Sequence, residues 1–317
     1  MRRDGANRRE AGVIAVVGSA NMDVVTQVDT LPGPGETVFA RSTHHYPGGK
    51  GANQAVAAAR FGEAVSFYGK VGDDTAADEL LRSMAANGVN VAAVERAAGV
   101  PTGQAAVLVD GAGENAIVYT AGANSAVDAA YVDRIIDRVR AADVLLLQLE
   151  IPLAATAHLL RALPQKRPIV ILDPAPPRDL AMLPLDRIDI LTPNRGELAS
   201  LTGHSVLENA ARRLLAQGIR TVLCTVGSDG AHWYGEETQR IAAPTVAAVD
   251  TTAAGDAFNG ALACVVAKMP VAEAVRWAVA AGALTTTRQG AQPSLPRRSE
   301  VEALVRQTMP PRTAGNP

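Results

Sequence analysis

The most informative stretch of the sequence is PTVAAVDTTAAGDAFNGAL, residues 244–262. Its first seven residues, 244–250, predict a strand, and the small residues that follow predict a turn. The Ala-rich run after Asp256 predicts a helix. A strand that passes through a turn of small residues into a helix is typical of α/β proteins.

The same succession of strand and helix recurs along the rest of the chain. Apolar runs predict strands at residues 13–17, 64–69, 144–149, 169–172, 188–192 and 221–225. Runs with helical periodicity, residues 53–60 and 75–87, are followed by Gly62 and Gly88, which are typical of helix ends. We therefore predict one α/β domain over residues 13–308, with a central, mostly parallel sheet flanked by helices.

Two segments, residues 26–46 and 103–120, do not fit this succession. The second predicts two strands around a turn at residues 110–113. We interpret both segments as a small β-sheet lid that could cover a ligand and exclude water. The alternative is an edge that only packs or pairs with a second copy. The tails, residues 1–12 and 309–317, are predicted to be disordered.

Composition excludes several classes of protein. Of the 317 residues, 48% are hydrophobic but only 3% are aromatic, which predicts an aliphatic core. A net charge of −2 provides no general attraction for nucleic acid. No apolar run reaches the roughly 18 residues that a membrane span needs, and no secretory signal is predicted. Cys224 and Cys264 are predicted to be buried thiols, which favours the cytoplasm.

The turn before Asp256 is the strongest candidate for a catalytic site. Ala253, Ala254 and Gly255 have almost no side chain, so their N–H groups can converge on an anion at the start of the helix. Asp256 beside them could cap the helix or act as a general base toward a hydroxyl group. The adjacent anion turn favours the base.

A glycine-rich turn, PGGKGANQ at residues 47–54, also opens a helix. Its glycines allow the backbone to approach a polar ligand, and Asn53 can both donate to and accept from sugar hydroxyls. The alternative is a tight loop with no ligand. The spacing is not that of a Walker phosphate-binding loop.

Other polar residues follow predicted strands, where open α/β sheets bind ligands. Asn21 and Asp23 follow the first strand, unless they only form an Asx-turn. Glu150 ends an apolar strand, where a charge is costly to bury without a partner. Asn194 and Glu197 could orient Mg²⁺, or they could form a capping box. Residues 225–230 could contact a nucleotide, or they could be a simple turn.

Taken together, these segments resemble the carbohydrate kinases of the ribokinase (PfkB) family over residues 13–305. The resemblance rests on VVGSANMD, PGPGET, GGKGANQAVAAAR, GENAIVYTAGAN, LLQLEIP, TPNRGE, TVGSDG, VDTTAAGDAFNGAL and RQGAQPSLP. The most specific of these are DTTAAGDAF and GGKGAN. The resemblance implies ATP-dependent phosphorylation of D-ribose to D-ribose 5-phosphate, with Mg²⁺ and K⁺, and a homodimer formed through the lid.

The resemblance also implies residue roles. Asp256 corresponds to the base, with Ala253, Ala254 and Gly255 as the anion hole. The sugar positions are Asn21, Met22, Asp23, Gly49, Lys50, Gly51, Ala52, Asn53, Glu150 and Asp256. The nucleotide positions are Asn194, Thr225, Val226, Gly227, Ser228, Asp229, Gly230, Gly255, Asp256 and Val279, the last where relatives can have His. Glu197 would organise Mg²⁺, and the K⁺ positions are Asp250, Thr252, Thr285, Arg288, Gly290 and Ser294.

Two alternatives stay open on the sequence. The acceptor could be deoxyribose, fructose, a sugar phosphate or a nucleoside such as adenosine. The lid segments offer few aromatic side chains to stack on a nucleoside, and only Arg41 to hold a phosphate. The other alternative is a non-catalytic sugar-binding protein, which is disfavoured because Asp256 and its anion turn are both present.

Overall fold

The computed structural model describes residues 13–165 and 167–308, which form fifteen β-strands and nine α-helices. The two predicted tails lie outside the described residues. The strands are β1 (Val13–Val17), β2 (Asn21–Val28), β3 (Ala40–Gly48), β4 (Ala64–Tyr68), β5 (Lys70–Val71), β6 (Val89–Asn90), β7 (Glu95–Arg96), β8 (Gly103–Val109), β9 (Asn115–Thr120), β10 (Val144–Leu147), β11 (Ile169–Leu172), β12 (Ile190–Leu191), β13 (Thr221–Thr225), β14 (Ala231–Tyr234) and β15 (Thr238–Ile241). The helices are α1 (Lys50–Arg60), α2 (Thr75–Ala86), α3 (Ala129–Arg140), α4 (Leu153–Ala162), α5 (Arg195–Thr202), α6 (Leu207–Ala216), α7 (Ala254–Val265), α8 (Val271–Thr285) and α9 (Arg298–Thr308).

The main sheet has nine strands in the order β15-β14-β13-β12-β11-β10-β1-β4-β6. All neighbouring pairs from β13 to β6 are parallel, whereas β14 and β15 are antiparallel additions at one edge. Ile14 and Val16 of β1 pack with α1, α2, α7 and α8, while Ala15 and Val17 pack with α3, α4 and α6. Both faces of the sheet are therefore covered by helices, which confirms the predicted fold class.

A separate four-stranded sheet has the order β3-β2-β8-β9. Strands β2 and β8 are parallel, and the outer pairs are antiparallel. The turn at residues 110–113 closes because Asp110 Oδ1 accepts hydrogen bonds from the N–H groups of Ala112 and Glu114, both at 2.9 Å. Strands β8 and β9 lie within the predicted segment 103–120, and β3 overlaps the segment 26–46, but β2 begins before that segment, at Asn21. The action of this small sheet as a lid stays a prediction.

The predicted strand at residues 244–250 is wrong. The segment follows β15, the edge strand of the main sheet, and pairs with no strand of the described residues. Its end is held by a helix instead, because Val249 and Asp250 donate their N–H groups to the carbonyl oxygen of Thr286, at 2.7 and 3.1 Å. Alternating apolar residues fit any extended chain, and the sequence pattern does not show whether a partner strand is present.

Among the described residues, no helix combines the length and apolar character needed to cross a membrane. Cys224 and Cys264 are free and buried, as predicted.

Candidate active site

Polar residues collect where the parallel strands of the main sheet end. Ser19 follows β1, Gln148 and Glu150 follow β10, Asp173 follows β11, and Thr192 follows β12. The carboxyl ends of parallel strands share one edge, which is where α/β sheets bind ligands. A cleft of about 190 Å³ opens at this edge. It is lined by Lys50, Asp173, Ala175, Thr192, Asn194, Glu197, Thr225, Thr251, Ala253, Ala254, Gly255, Asp256, Phe258 and Asn259.

Helix α7 begins at this cleft without a side-chain cap. The residue before it, Ala253, has φ 59°, and it is the only residue other than glycine with a positive φ in the described ranges. That conformation costs an alanine roughly 1–2 kcal/mol. Within the same ranges, no acceptor is found for the N–H groups of Gly255 and Asp256. The turn therefore leaves backbone donors free to bind an anion.

Asp256, the third residue of α7, does not cap its own helix. Its carboxylate accepts hydrogen bonds from Asn53 Nδ2 at 2.9 Å and from Gln54 Nε2 at 3.2 Å, both on α1. The residue is buried, with 6% of its surface exposed. Burial raises the pKa of Asp256, although Lys50, Asn53 and Gln54 act in the opposite direction. A buried carboxylate with a raised pKa at a cleft is suited to accept a proton.

The close packing of α1 on α7 brings these side chains within reach of one another. A Cβ atom placed on Gly260 would lie 2.5 Å from the Cβ of Ala57, so this position requires glycine. At the start of α1, Gly49 has φ 89°, and a Cβ there would lie 2.7 Å from the backbone nitrogen of Asn21. The sequence GGKGAN thus folds into a turn that lies directly against the backbone after β1.

Three further residues predicted to bind sugar lie near the start of α1, although none of them is part of the cleft lining. Burial first, and then the charges of Glu150 and Asp256, raise the pKa of Asp23 to about 7. Glu150 Oε2 accepts hydrogen bonds from Ser19 Oγ at 2.5 Å and from the backbone N–H of Lys50 at 3.1 Å. Asn21 is buried on β2. Asn21 and Asp23 therefore belong to a strand and form no Asx-turn.

The side chain of Met22 points away from this region and packs in the hydrophobic core. The side chain of Asn21 is held in place by Asn124, whose Nδ2 donates to Asn21 Oδ1 at 2.7 Å.

Lys50 is the cation among these carboxylates. Burial by itself lowers the pKa of Lys50, but the charges of Asp173, Asp256 and Glu150 outweigh it and the pKa is raised. Asp173 is buried, and burial raises its pKa to about 8 in spite of Lys50. Lys50 therefore keeps its charge at neutral pH, and its charge makes Asp173 easier to ionise than burial alone would allow.

The predicted nucleotide residues fall into two groups. Asn194, Thr225, Gly255 and Asp256 line the cleft. Residues 226–230 and Val279 do not. Residues 227–229 form a short 3₁₀ turn between β13 and β14, and Val279 is on the buried face of α8, in the core. Asn194 and Glu197 form a capping box at the start of α5, with Asn194 Oδ1 accepting from Glu197 N at 2.9 Å and Glu197 Oε2 accepting from Asn194 N at 2.7 Å.

The two segments predicted to bind K⁺ are joined through Asp250. Its carboxylate accepts hydrogen bonds from Thr252 N at 2.9 Å and from Gly290 N at 2.8 Å. Partial burial acts to raise the pKa of Asp250, but these hydrogen bonds hold it below the usual value. The hydroxyls of Thr285 and Ser294 donate to backbone carbonyls of Ala281 and Ala291, and Arg288 pairs with Glu300.

Several residues of the site were not predicted from the sequence. Ser19, Gln54, Asn124, Thr192 and Asn259 carry uncharged side chains with no distinctive spacing. Asp173 could have been found, because it directly follows the apolar strand β11, in the same way that Glu150 follows β10. In the described part of the chain, no group of three or more His, Cys, Asp or Glu residues is arranged to hold a metal ion.

Comparison with known families identifies the architecture. Residues 12–298 match the family described as pfkB family carbohydrate kinase. The chain belongs to this family. As a pfkB carbohydrate kinase, it transfers a phosphoryl group to a carbohydrate, which confirms the family resemblance and the kinase activity inferred from the sequence.

Relatives within the pfkB family include sugar kinases of similar length. The ribokinase of Schizosaccharomyces pombe is 38% identical over 308 residues, covering 91% of this chain and 96% of that protein. The ribokinase of Bacillus subtilis is 37% identical over 295 residues, covering 92% and 99%. The deoxyribokinase of Salmonella typhi is 36% identical over 291 residues, covering 89% and 95%.

Solved structures of pfkB kinases share the fold. Ribokinase from Thermotoga maritima matches with a TM-score of 0.87 and 37% identity, over 93% of this chain and 99% of that one. Arabidopsis thaliana ribokinase, complexed with ribose and ATP, matches with a TM-score of 0.87 and 33% identity, over 93% and 99%.

Proposed function

We propose that this pfkB kinase phosphorylates D-ribose with ATP to give D-ribose 5-phosphate. The observation that carries the proposal is the pairing of the buried Asp256 carboxylate with the uncapped start of α7 in one cleft. A base and an anion-binding turn at one place are what phosphoryl transfer to a hydroxyl requires.

The reaction follows from these two parts. Asp256 accepts the proton of the sugar hydroxyl as that oxygen forms a bond to the γ-phosphorus of ATP. The bond from the γ-phosphorus to the bridging oxygen breaks, and ADP leaves. The N–H groups around Ala253, Ala254 and Gly255 stabilise the negative charge on the transferred group, and Lys50 supplies a positive charge at the same cleft.

The sugar is assigned to the region between the small sheet and α1. Asn21 and Asp23 would bind it from β2, Glu150 from the end of β10, and Asn53 from α1. Residues 49–52 would contribute backbone groups. Met22 would also contribute only backbone groups, because its side chain lies in the core. The structure of the Arabidopsis relative contains ribose and ATP, which supports ribose as the sugar.

The nucleotide is assigned to the other side of the cleft. Asn194 and Thr225 would contact ATP, with the rest of residues 225–230 and Val279 farther out. Glu197 fits an indirect role toward Mg²⁺, because its Oε2 is engaged in the capping box while it lines the cleft. When bound with ATP, Mg²⁺ would neutralise phosphate charge.

The segments joined by Asp250 fit a monovalent cation. Asp250, Thr252, Thr285, Arg288, Gly290 and Ser294 offer a carboxylate, hydroxyls and backbone carbonyls, which are oxygen ligands of the kind that hard cations take. Bound K⁺ would supply positive charge that stabilises the turn before α7. Asp250 already links this turn to the loop at Gly290.

The small sheet is assigned as a lid that also forms a homodimer. Ile117 and Val118 of β9 expose 59% and 69% of their surfaces, and Phe39 exposes 93%. Exposed apolar side chains on a sheet suit contact with a second copy. The free buried cysteines support a cytoplasmic location.

A second candidate acceptor is deoxyribose, because a deoxyribokinase is nearly as similar to the chain as the ribokinases are. A non-catalytic sugar-binding role is disfavoured by the presence of Asp256 at its turn.

The decisive experiment is a kinase assay with ATP over a panel of pentoses, hexoses and nucleosides. Ribose should give the largest kcat/KM, and a preference for deoxyribose or fructose would overturn the assignment of ribose. The same assay with KCl in place of NaCl at constant ionic strength tests the cation. Equal rates in both salts would exclude K⁺ activation and leave the kinase assignment intact.

A further inference from the structure

Gln54 follows Asn53 on α1 and has no role in the reaction described so far. It is completely buried, and its side-chain amide makes three hydrogen bonds. Its Nε2 donates to Asp173 Oδ2 at 2.8 Å and to Asp256 Oδ1 at 3.2 Å, and its Oε1 accepts from Gln148 Nε2 at 2.6 Å. One uncharged amide thus links two buried carboxyl groups.

The orientation of this amide is fixed by Gln148. If the Gln54 amide rotated by half a turn, its oxygen would face two carboxyl oxygens and its NH₂ group would face the NH₂ group of Gln148. The hydrogen bonds to the Asp256 carboxylate and from Gln148 would both be replaced by repulsive contacts. Gln148 in turn fits only because residue 18 is glycine, since a Cβ there would collide with Gln148 Oε1.

Together with Asn53, Gln54 holds both oxygens of the Asp256 carboxylate. Asn53 donates to Oδ2 and Gln54 donates to Oδ1, and the two residues are adjacent on one helix. A carboxylate held at both oxygens cannot rotate about its own bond without losing a hydrogen bond. Each oxygen still has a free lone pair toward which a hydroxyl group can donate.

We propose that Gln54 is a positioning residue for phosphoryl transfer, which holds the Asp256 carboxylate toward the acceptor hydroxyl through a link to Asp173 and Gln148. The inference rests on the proposed role of Asp256 as the base. Gln54 is completely buried and is not part of the cleft lining, so it is assigned no contact with sugar or nucleotide.

The charges around Asp256 determine how the loss of Gln54 would act. Lys50 on α1 faces it, and so do three carboxyl groups: Asp23 on β2, Glu150 after β10 and Asp173 after β11. Glu197 on α5 lies across the cleft. In this acidic region an N–H donor favours the ionised form of Asp256. Without Gln54 the pKa of Asp256 should rise, and a higher pH would be needed to ionise the base.

The test is the variant Gln54→Met, which keeps the length and volume of the side chain but removes its amide. We expect kcat to fall by about 10- to 100-fold, the usual cost of a lost hydrogen bond to a charged group. The KM values for sugar and ATP should stay within about twofold, because the binding residues are untouched. The acidic limb of the profile of kcat against pH should move to higher pH.

Two further variants make the result unambiguous. Gln54→Glu has the same shape but replaces the NH₂ donor by oxygen, so kcat should fall again with KM unchanged, even if Gln54→Met fails to fold. Thr202→Val is the control, because Thr202 is a buried polar residue at the far end of α5 whose hydroxyl bonds only to nearby backbone. It should keep the kcat and the pH profile of the unaltered protein.

The assays use whichever sugar the unaltered protein phosphorylates best, so an error in the choice of ribose does not affect them. Asp256→Asn is measured in parallel, and full activity of that variant would refute the base itself. If Asp256→Asn is inactive while a folded Gln54 variant keeps the kcat and acidic limb of the unaltered protein, the inference is wrong. A loss confined to the KM for sugar would also overturn it.

Discussion

Helices α5 and α7 both begin at the cleft, and each has glycine second and an acidic residue third, yet their first turns differ. At α5, Asn194 precedes the helix and forms a capping box with Glu197. At α7, Ala253 precedes the helix and offers no side-chain oxygen, so Asp256 turns away to α1. The residue before the helix therefore decides whether the first turn is closed by the protein or open to an anion.

The largest effect should come from removing the carboxylate of α7. Asp256→Asn should lower kcat by about 10²- to 10⁴-fold, because general-base catalysis is lost. Binding of sugar and nucleotide, measured by calorimetry, should change little.

The matched control is Glu197→Gln, which makes the same change at the third residue of α5. Glutamine also completes a capping box, so this variant should keep its melting temperature and need more Mg²⁺ for half-maximal rate. If Asp256→Asn keeps its kcat, the two helix starts do not differ in function.

The open turn can be distorted without changing any charge. Valine is poorly compatible with the left-handed conformation of Ala253, so Ala253→Val should lower the free energy of unfolding by about 1–2 kcal/mol. It should also lower kcat by about 10-fold or more, because misplaced N–H donors stabilise the transferred group poorly. Denaturant unfolding and steady-state kinetics measure the two effects.

Ala253→Gly adopts the same conformation without strain and serves as the comparison. It should keep most of the rate. Equal activity of the valine and glycine variants would show that the shape of the turn is unimportant.

The closed turn should respond in stability. Asn194→Ala removes the cap of α5 and should lower the free energy of unfolding by about 1 kcal/mol in urea titrations. No such cap exists at α7, so the side chain of Ala253 provides no equivalent contribution. An unchanged urea midpoint for Asn194→Ala would mean that the capping box does not stabilise the helix.

The last prediction concerns the buried acid near α7. The pKa of Asp173 is raised to about 8 in the folded protein, so the folded state retains a proton that the unfolded state releases near pH 4. The stability contributed by this proton is fully present below about pH 4 and is lost as the pH rises through about 8.

Asp173→Asn stays uncharged at every pH, so its melting temperature relative to the unaltered protein should increase between pH 5 and pH 8.5. A difference that stays constant over this range would show that Asp173 does not titrate as described.

The sequence allows the layers to be predicted, because the apolar run of β1 and the Ala-rich run of α1 each report burial locally. It fails at residues 244–250, where an extended apolar segment has no neighbouring strand. The same limit applies to the site. Asp256 could be recognised from the small residues beside it, but the contacts of Gln54 with Asp173 and Gln148 join positions 119 and 94 residues away. No local pattern reports such contacts. The caps were more predictable, since Asn precedes α5 and Ala precedes α7.

The contact of Gly260 with Ala57 determines how precisely α1 and α7 are spaced. Side chains that separate two helices can change rotamer, and the spacing between the helices then varies with them. Here the two main chains meet almost directly, with no room for one added methyl group. The separation between the residue that would hold the sugar, Asn53, and the residue that would receive its proton, Asp256, is thus fixed by backbone contact. No side-chain rotamer at this contact can change the separation, whereas a single added carbon atom at position 260 would widen it.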